Sequence, residues 1–458
     1  MNRRAKIVCT LGPATATGDR LRELIEAGMD VARLDLGHGT RTEHAEAHRL
    51  VREIAARAGR TVGVLADLRG PRIRLGRFAA GPVTWRGGET VLITPRTVLG
   101  DAGLVSTSYP DLARDVRPGD RLLVDDGQVA LRVVEVRDDD VACLVLDGGT
   151  VRDHQRISLP GVEIGVPTLT EQDTSDLRFA LGLGVDLVAL PFVRSPADVK
   201  VVHAVMDEFG IRLPVLAKLE TGTAVRQLDD IVAAFDGVVV ARDDLGVELP
   251  LDEIPLIQKR TIQRCRAMAK PVIVATQMLD SMVEHPRPTR AEASDVANAV
   301  LDGADAVLLA AETSVGAYPV LAVRMMAQIV GSAEANVPAR RSAPGPELAT
   351  KADAITAAAT DVAQSLAVKA ICCFTRSGAT ARQLARHQPL APLLAFTPDR
   401  AVPARLALTW GVETFAVPVV AHTDEMVHQV QDVLLSLGRF EVGDLVLIVA
   451  GSPPGLPG

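Results

Sequence analysis

Three pieces of one stretch decide the fold: VLAKLET (215–221), VVVARDDLGVELP (238–250) and VIVATQMLDSM (272–282). Each is a short, β-rich apolar run that ends on polar chemistry. The first stops at Lys218 and Glu220, the second at Asp243 and Asp244, the third at Thr276. Charged and polar side chains at the carboxyl ends of successive buried strands are the sequence form of a (β/α)8-barrel active site. One ammonium and carboxylates on adjacent strands suit a divalent metal and a phosphorylated or enolic substrate.

Outward from this stretch the same rhythm holds. Strands are expected at Lys6–Thr10, Val31–Leu36, Val62–Asp67, Asp186–Pro191, Val215–Leu219, Gly237–Ala241, Pro271–Ala275 and Ala306–Leu309. Segments of helical period lie between them, among them Asp19–Ala27, Glu43–Ala58, Ser195–Phe209 and Glu253–Ala269. Eight strands alternating with helices predict a closed parallel barrel rather than an open sheet. The rhythm breaks between Gly76 and Ser158, where short alternating runs (ETVLITP, DRLLVDD, VALRVVEV, VACLVLD) are separated by Gly and Asp turns. They predict a small inserted β-barrel, residues 76–158, following the third barrel strand. An insertion at that point stands over the catalytic mouth, so a lid is expected, with a merely decorative insertion as the alternative.

The stretch SAPGPEL (342–348) reads as a linker. Beyond it, strands at Ala370–Phe374, Pro392–Phe396, Val412–Val417 and Leu445–Val449 alternate with helices at Lys351–Ser365, Ala379–His387 and Asp424–Leu437. The expected fold class is therefore α/β: a (β/α)8 barrel over 1–75 and 159–340, the inserted lid, and a C-terminal α/β domain over 349–458.

The bulk numbers agree. A chain of 458 residues needs two or three domains. Hydrophobic content of 48% with only 3% aromatics means a core of Val, Leu, Ala and Ile. The net charge of −8 argues against a nucleic-acid or anionic-membrane partner. No apolar run approaches the roughly 18 residues of a membrane span, and MNRRAKIVCTLG leads directly into a strand without a cleavage region. The five cysteines, Cys9, Cys143, Cys265, Cys372 and Cys373, lack metal-ligand spacing. They read as buried reduced thiols of a cytoplasmic protein.

Longer motifs carry a family resemblance. KIVCTLGPAT, AGMDVARLDLGHGT, LADLRGPRIRLG, DDGQVAL, ISLPGVEIGVPTLTEQDTSDL, LPFVRS, VVVARDDLGVELP, ATQMLDSM and AETSVGAYPV occur in an order that resembles the pyruvate kinase family from Ala5 to Pro457. The resemblance implies transfer of the phosphoryl group of phosphoenolpyruvate to ADP, then protonation of the enolate. By that resemblance Lys218 neutralises the phosphoryl group in flight, and Glu220 and Asp244 hold Mg²⁺ or Mn²⁺. Thr276 stands near the enolate carbon, and Arg33 contacts the phosphoryl group. Asp35, His38 and Arg74 lie on the nucleotide side. Asp243 and Asp244 open a short helix whose N–H groups receive the substrate carboxylate. A structural Arg33–Asp67 ion pair, and a turn-capping His38, are the alternatives for those residues.

The chain also departs from the family pattern. The monovalent-cation pocket, usually Asn, Ser, Asp and Thr, is Asp35, Gly37, Asp67 and Leu68 here, with Arg72 in place of a Glu. A fixed guanidinium supplies positive charge, so no K⁺ requirement is expected. Asp243 replaces a Gly, Ala310 and Ala311 replace Ser-Gly beside Glu312, and Gln155 replaces a nucleotide-binding Lys with Arg156 next to it. In the C-terminal domain, FTRSGATARQLAR (374–386) places Thr375, Arg376, Ser377, Gly378 and Thr380 where the family binds an effector phosphate of a sugar phosphate or nucleotide; an ordinary capped helix is the alternative. The chain reaches GSPPGLPG (451–458) where family members continue into a final edge strand. Assembly as a homo-oligomer, a tetramer in the family, is implied by resemblance alone. Two other functions fit the residues: a lyase or mutase handling enolates on the same barrel without ADP, and a non-catalytic or low-activity paralog.

Overall fold

A computed structural model describes residues 3–125, 127–336, 350–420 and 422–451. The linker stretch 342–348 and residues 452–458 lie outside these. Eight parallel strands close into a barrel: β1 (Lys6–Thr10), β2 (Val31–Asp35), β3 (Gly63–Asp67), β4 (Leu187–Leu190), β5 (Val215–Leu219), β6 (Gly237–Ala241), β7 (Val272–Ala275) and β8 (Ala306–Leu309). They follow one another in sequence order around the ring, and β8 pairs with β1 through Lys6–Ala306 and Val8–Leu308. The barrel interior is filled by Val8, Val31, Leu65, Leu187, Leu216, Val239, Ile273 and Leu308, all buried. Alternate residues face the surrounding helices, which explains why these strands read as unbroken apolar runs.

The helices begin where the capping chemistry dictates. The helix Arg41–Arg57 starts two residues earlier than its apolar period suggests, because Thr40 and Glu43 form a reciprocal capping box. The helix Asp198–Glu208 starts three residues later than expected. Asp198 accepts from the N–H groups of Arg194 and Ser195 at 2.8 and 3.0 Å, which fixes a turn there instead.

Between β3 and β4 the chain forms an all-β unit. A six-stranded sheet runs in the order Ile157–Ser158, Arg121–Val124, Val129–Arg137, Asp140–Asp147, Thr90–Thr94, Leu104–Ser106, beside a two-strand ribbon of Val83–Trp85 and Gly149–Val151. Arg74 and Leu75 bridge the two edges of that sheet, to Arg156 and Thr107, and so close it into the small barrel expected from sequence. Register shifts after Ala130 and Val133 bend the long hairpin around a separate core. That core extends from Ile73 to Leu159, with Phe78 edge-on to Trp85.

The C-terminal unit is a four-stranded parallel sheet, ordered Val412–Ala416, Leu393–Thr397, Ala370–Phe374, Val446–Val449. It packs against the amino-terminal end of the barrel. There Trp410 donates to Asp305 at 3.0 Å, Lys6 donates to the Val412 carbonyl at 2.9 Å, and Arg386 reaches the Ala267 carbonyl at 3.0 Å. The opposite, carboxyl end of the barrel faces the inserted unit. All five cysteines are free and buried, and no helix among the described residues is long and apolar enough to cross a membrane.

Candidate active site

The carboxyl ends of β2, β3 and β5 bring a charged cluster together. Arg33 is spent in three directions: Nε donates to Asp67 at 2.7 Å, Nη1 to Thr10 at 3.0 Å, and Nη2 lies 3.3 Å from Asp35. Lys218 Nζ lies 2.7 Å from Glu220 and 3.6 Å from Asp67. The shared anion, Asp67, is 3% exposed, and its second oxygen has no hydrogen-bond partner. Burial works against the charge of both cations. The carboxylates of Asp67 and Asp35 around Arg33, and of Asp67 and Glu220 around Lys218, more than reverse it and raise both pKa values. Lys218 is therefore a fixed positive charge, not a base.

Glu220 stands at the end of β5, 1% exposed. Its other oxygen accepts from the Phe192 N–H at 2.7 Å. Phe192 has a φ of +49°, a conformation that an aromatic residue adopts only under constraint. Burial pushes the Glu220 carboxyl up to about 7, against the pull of Lys218 and with the push of Asp244. Glu220 and Asp244 both line one cavity of about 330 Å³.

The helix expected after β6 is present, Arg242–Glu248. Its first N–H groups are already engaged: Asp243 N–H donates to Thr276 Oγ1 at 3.1 Å, and Asp244 N–H to Asp243 Oδ1 at 2.9 Å. Asp243 therefore caps the helix with its own carboxylate, and burial followed by the nearby Asp244 raises its pKa. With Asp244, Thr276, Ala310, Ala311 and Glu312 it lines a wider cleft of about 960 Å³. Glu312 is buried and accepts from the Leu279 and Ala310 N–H groups at 3.0 and 2.7 Å.

Thr276 and Gln277 both have positive φ, +68° and +52°. For a β-branched residue this is a strained conformation. Arg242 sustains it by donating to the carbonyls of Ala275 and Thr276 at 3.3 and 2.5 Å, while pairing with Asp295 at 2.5 Å. Arg242 and Phe192 are site-shaping residues that the sequence reading misses. Arg242 was visible as a third charge beside Asp243 and Asp244; Phe192 reaches Glu220 through its backbone N–H, which leaves no side-chain signal.

On the other side of the mouth, Asp35 forms a tight turn, accepting from the Gly37 N–H at 2.9 Å and lying 3.0 Å from His38 Nδ1. Burial would raise its pKa, but Arg33 and His38 hold it well below the usual carboxylate range. A β-carbon on Gly37 would stand 2.3 Å from Arg72 Nη2, so the Arg72 guanidinium fills the space that a side chain at position 37 would take. Gly70, φ +69°, turns the LRGPR segment against Pro191, 2.7 Å from where its β-carbon would be. This turn brings Arg72 over Gly37, while Leu68, ahead of the turn, is buried in the apolar core. Burial, and the crowding of Arg74, Arg69 and Arg156, lower the Arg72 pKa. Arg74 donates to the His154 carbonyl at 2.7 Å, and Gln155 Oε1 accepts from the Arg152 N–H at 2.8 Å. Arg156 instead crosses to the barrel and meets Asp244 at 2.5 Å.

The C-terminal loop lies apart from this cluster. Thr375, buried, accepts from the Gly378 N–H at 2.9 Å, and Ser377 from the Ala379 N–H at 3.4 Å. Arg376 and Ser377 are exposed, and Gly378 and Thr380 flank the start of the seven-residue helix Ala379–Ala385.

The relatives of this chain carry the same architecture. Its residues 2–323 match the family model "Pyruvate kinase, barrel domain", and residues 353–458 match "Pyruvate kinase, alpha/beta domain". It is 58% identical to a pyruvate kinase of Mycobacterium tuberculosis, over 100% of this chain and 97% of that one. A pyruvate kinase of Corynebacterium glutamicum is 56% identical, covering 100% of this chain and 96% of the relative. Among solved structures, a pyruvate kinase from Cryptosporidium parvum superposes with a TM-score of 0.94 at 34% identity, covering 99% of this chain and 95% of that one. With the barrel, the inserted β unit, the second α/β unit and the charged cluster at the barrel mouth in place, the chain belongs to the pyruvate kinase family.

Proposed function

We propose that this chain transfers the phosphoryl group of phosphoenolpyruvate to ADP, giving pyruvate and ATP, and does so without K⁺. The observation that carries the reading is the meeting of Lys218, Glu220 and Asp67 beneath one barrel mouth, with Asp244 and Thr276 on the next two strand ends. Phosphoryl transfer needs positioning and charge neutralisation more than covalent chemistry. Lys218 and Arg33, held charged by buried carboxylates, supply that neutralisation. Thr276 Oγ1 donates to the Ala275 carbonyl at 2.6 Å and accepts from the Asp243 N–H at 3.1 Å, a fixed hydroxyl that supports its expected place beside the enolate carbon.

Glu220 and Asp244 fit a divalent ion. They are hard oxygen donors lining one cavity, and the Asp244 charge works against that of Glu220, a repulsion that a divalent ion held by both would relieve. No group of three or more His, Cys, Asp or Glu side chains suited to a metal forms among the described residues, and substrate oxygens and water would complete the shell. When bound, Mg²⁺ or Mn²⁺ supplies Lewis-acid stabilisation of the phosphoryl oxygens. The absence of a K⁺ requirement is supported by Arg72, whose guanidinium lies over Gly37 beside the Asp35 turn. Asp35, His38 and Arg74 face the nucleotide in this reading, with the β unit (76–158) as a lid on the barrel (1–75 and 159–340). The C-terminal domain (349–458) offers the exposed Arg376 and Ser377 to an effector phosphate. The enzyme works in the cytoplasm and assembles as a homo-oligomer, a tetramer as in its family.

Product analysis tests the reaction. Pyruvate and ATP should appear in equal amounts, and only with ADP present. Consumption of phosphoenolpyruvate without ADP would instead identify a lyase or mutase on the same barrel.

A further inference from the structure

Arg156 belongs to the inserted β unit by its backbone. It pairs with Arg74 in an isolated bridge, and its carbonyl accepts from the Asp125 N–H at 3.2 Å. Its side chain leaves that unit. Nη1 lies 2.5 Å from Asp244 Oδ1 on the barrel, and the guanidinium stacks 5.2 Å over the Phe192 ring. Phe192 in turn donates its N–H to Glu220. The ion pairs Arg77–Asp153, Arg96–Asp140, Arg114 with Asp111 and Asp115, and Arg137–Glu135 stay within the β unit. Arg156–Asp244 crosses to the barrel. It stands where the two cavities meet, since Arg156, Asp244 and Glu248 line both.

We propose that Arg156 is a built-in competitor for the divalent ion: it holds Asp244 Oδ1 and fastens the β unit to the barrel, and an ion binding at Asp244 displaces it and releases that fastening. The inference rests on Asp244 being a metal ligand, as proposed above. The guanidinium, 2.5 Å from Oδ1 in a charge-assisted hydrogen bond, and a divalent ion both draw on the charge of the one Asp244 carboxylate, so each weakens the hold of the other. By linkage, the factor by which the pair weakens ion binding is the factor by which the ion weakens the pair. The Arg156 side chain is 31% exposed, so once released it has space on the cleft side. There it adds to the positive charge of Arg72, which its field already touches.

The test is Mn²⁺ binding to the full chain without substrates, followed by electron paramagnetic resonance, together with hydrogen exchange of segment 152–159. Asp244→Asn should abolish Mn²⁺ binding. Arg156→Gln should tighten it, by about five- to tenfold. Arg121→Gln removes a charge that lines the same wide cleft without touching Asp244, and should change affinity by less than about twofold. In the unaltered protein, Mn²⁺ should speed exchange of 152–159; in Arg156→Gln exchange should be fast already and indifferent to Mn²⁺. Unchanged Mn²⁺ affinity in Asp244→Asn would overturn the metal-site reading and this proposal with it. Loss of binding in Asp244→Asn with unchanged affinity in Arg156→Gln would overturn the competitor alone. Equal tightening in Arg156→Gln and Arg121→Gln would mean a diffuse charge effect and also refute it. The exchange measurement on unaltered protein stands whether or not a variant folds: slowed or unchanged exchange with Mn²⁺ contradicts the release.

Discussion

Asp243 is the residue whose identity most changes the chemistry. Its carboxylate already caps the Asp244 N–H, at the helix end where an anionic substrate group is expected to dock. It also adds a negative charge that opposes such a group. Asp243→Gly frees that N–H and keeps the backbone N–H contact to Thr276 Oγ1, while removing a carboxylate that also interacts with the Thr276 side chain. The KM for phosphoenolpyruvate should fall about three- to tenfold, a change of about 1 kcal/mol in binding, with kcat little altered. Steady-state kinetics decide it; an unchanged or higher KM would show that the capping carboxylate helps the substrate. Lys218, Glu220, Asp244 and Thr276 were legible at this scale because each follows an apolar run. The direction of Asp243 was not, because a carboxylate at a helix start can cap or point into a cleft, and only the packed neighbours decide.

At the scale of elements, the eight barrel strands were legible nearly residue by residue. Buried parallel strands are continuous apolar runs, and polar turns bound them on both sides. What the sequence hid are the irregular loops after β4 and β7, where Phe192, Thr276 and Gln277 hold positive φ. Such conformations persist through long-range contacts that leave no periodic trace. The Thr276 loop depends on Arg242, which reaches two of its carbonyls. Arg242→Gln should leave the barrel folded but let this loop relax, lowering kcat by roughly a hundredfold through misplacement of the Thr276 hydroxyl. Circular dichroism with single-turnover kinetics would separate the two effects. A variant of near-normal kcat would mean that the loop holds its shape without the clamp. The inserted unit was legible as a small β-barrel, while the register shifts in its long hairpin are irregularities that alternation alone does not reveal.

At the scale of the whole molecule, the barrel and the C-terminal sheet meet at a charged junction. Arg386 pairs with Asp353 at 2.9 Å, and Arg266 donates to the Arg386 carbonyl at 3.1 Å. His387 sits among them, and burial, then Arg386 and Arg266, lower its pKa from 6.5 to about 4. A histidine depressed on folding takes up its proton more readily when unfolded. Its contribution to stability is therefore complete above about pH 6.5 and is lost as pH falls toward 4. His387→Gln should flatten the fall of Tm over that window by a few degrees, as read by scanning calorimetry; an unaltered slope would place the acid sensitivity elsewhere.

The charged cluster at the barrel mouth has a functional output that is directly measurable. Pyruvate formation from phosphoenolpyruvate and ADP should be followed with Mg²⁺, in K⁺ and in tetramethylammonium, for the unaltered chain and for Lys218→Ala. Equal turnover in the two monovalent cations, falling by roughly a hundred- to a thousandfold in Lys218→Ala, is the expected result. Turnover that rises steeply with K⁺ would contradict the role given to Arg72, and turnover that survives the loss of Lys218 would contradict the site itself.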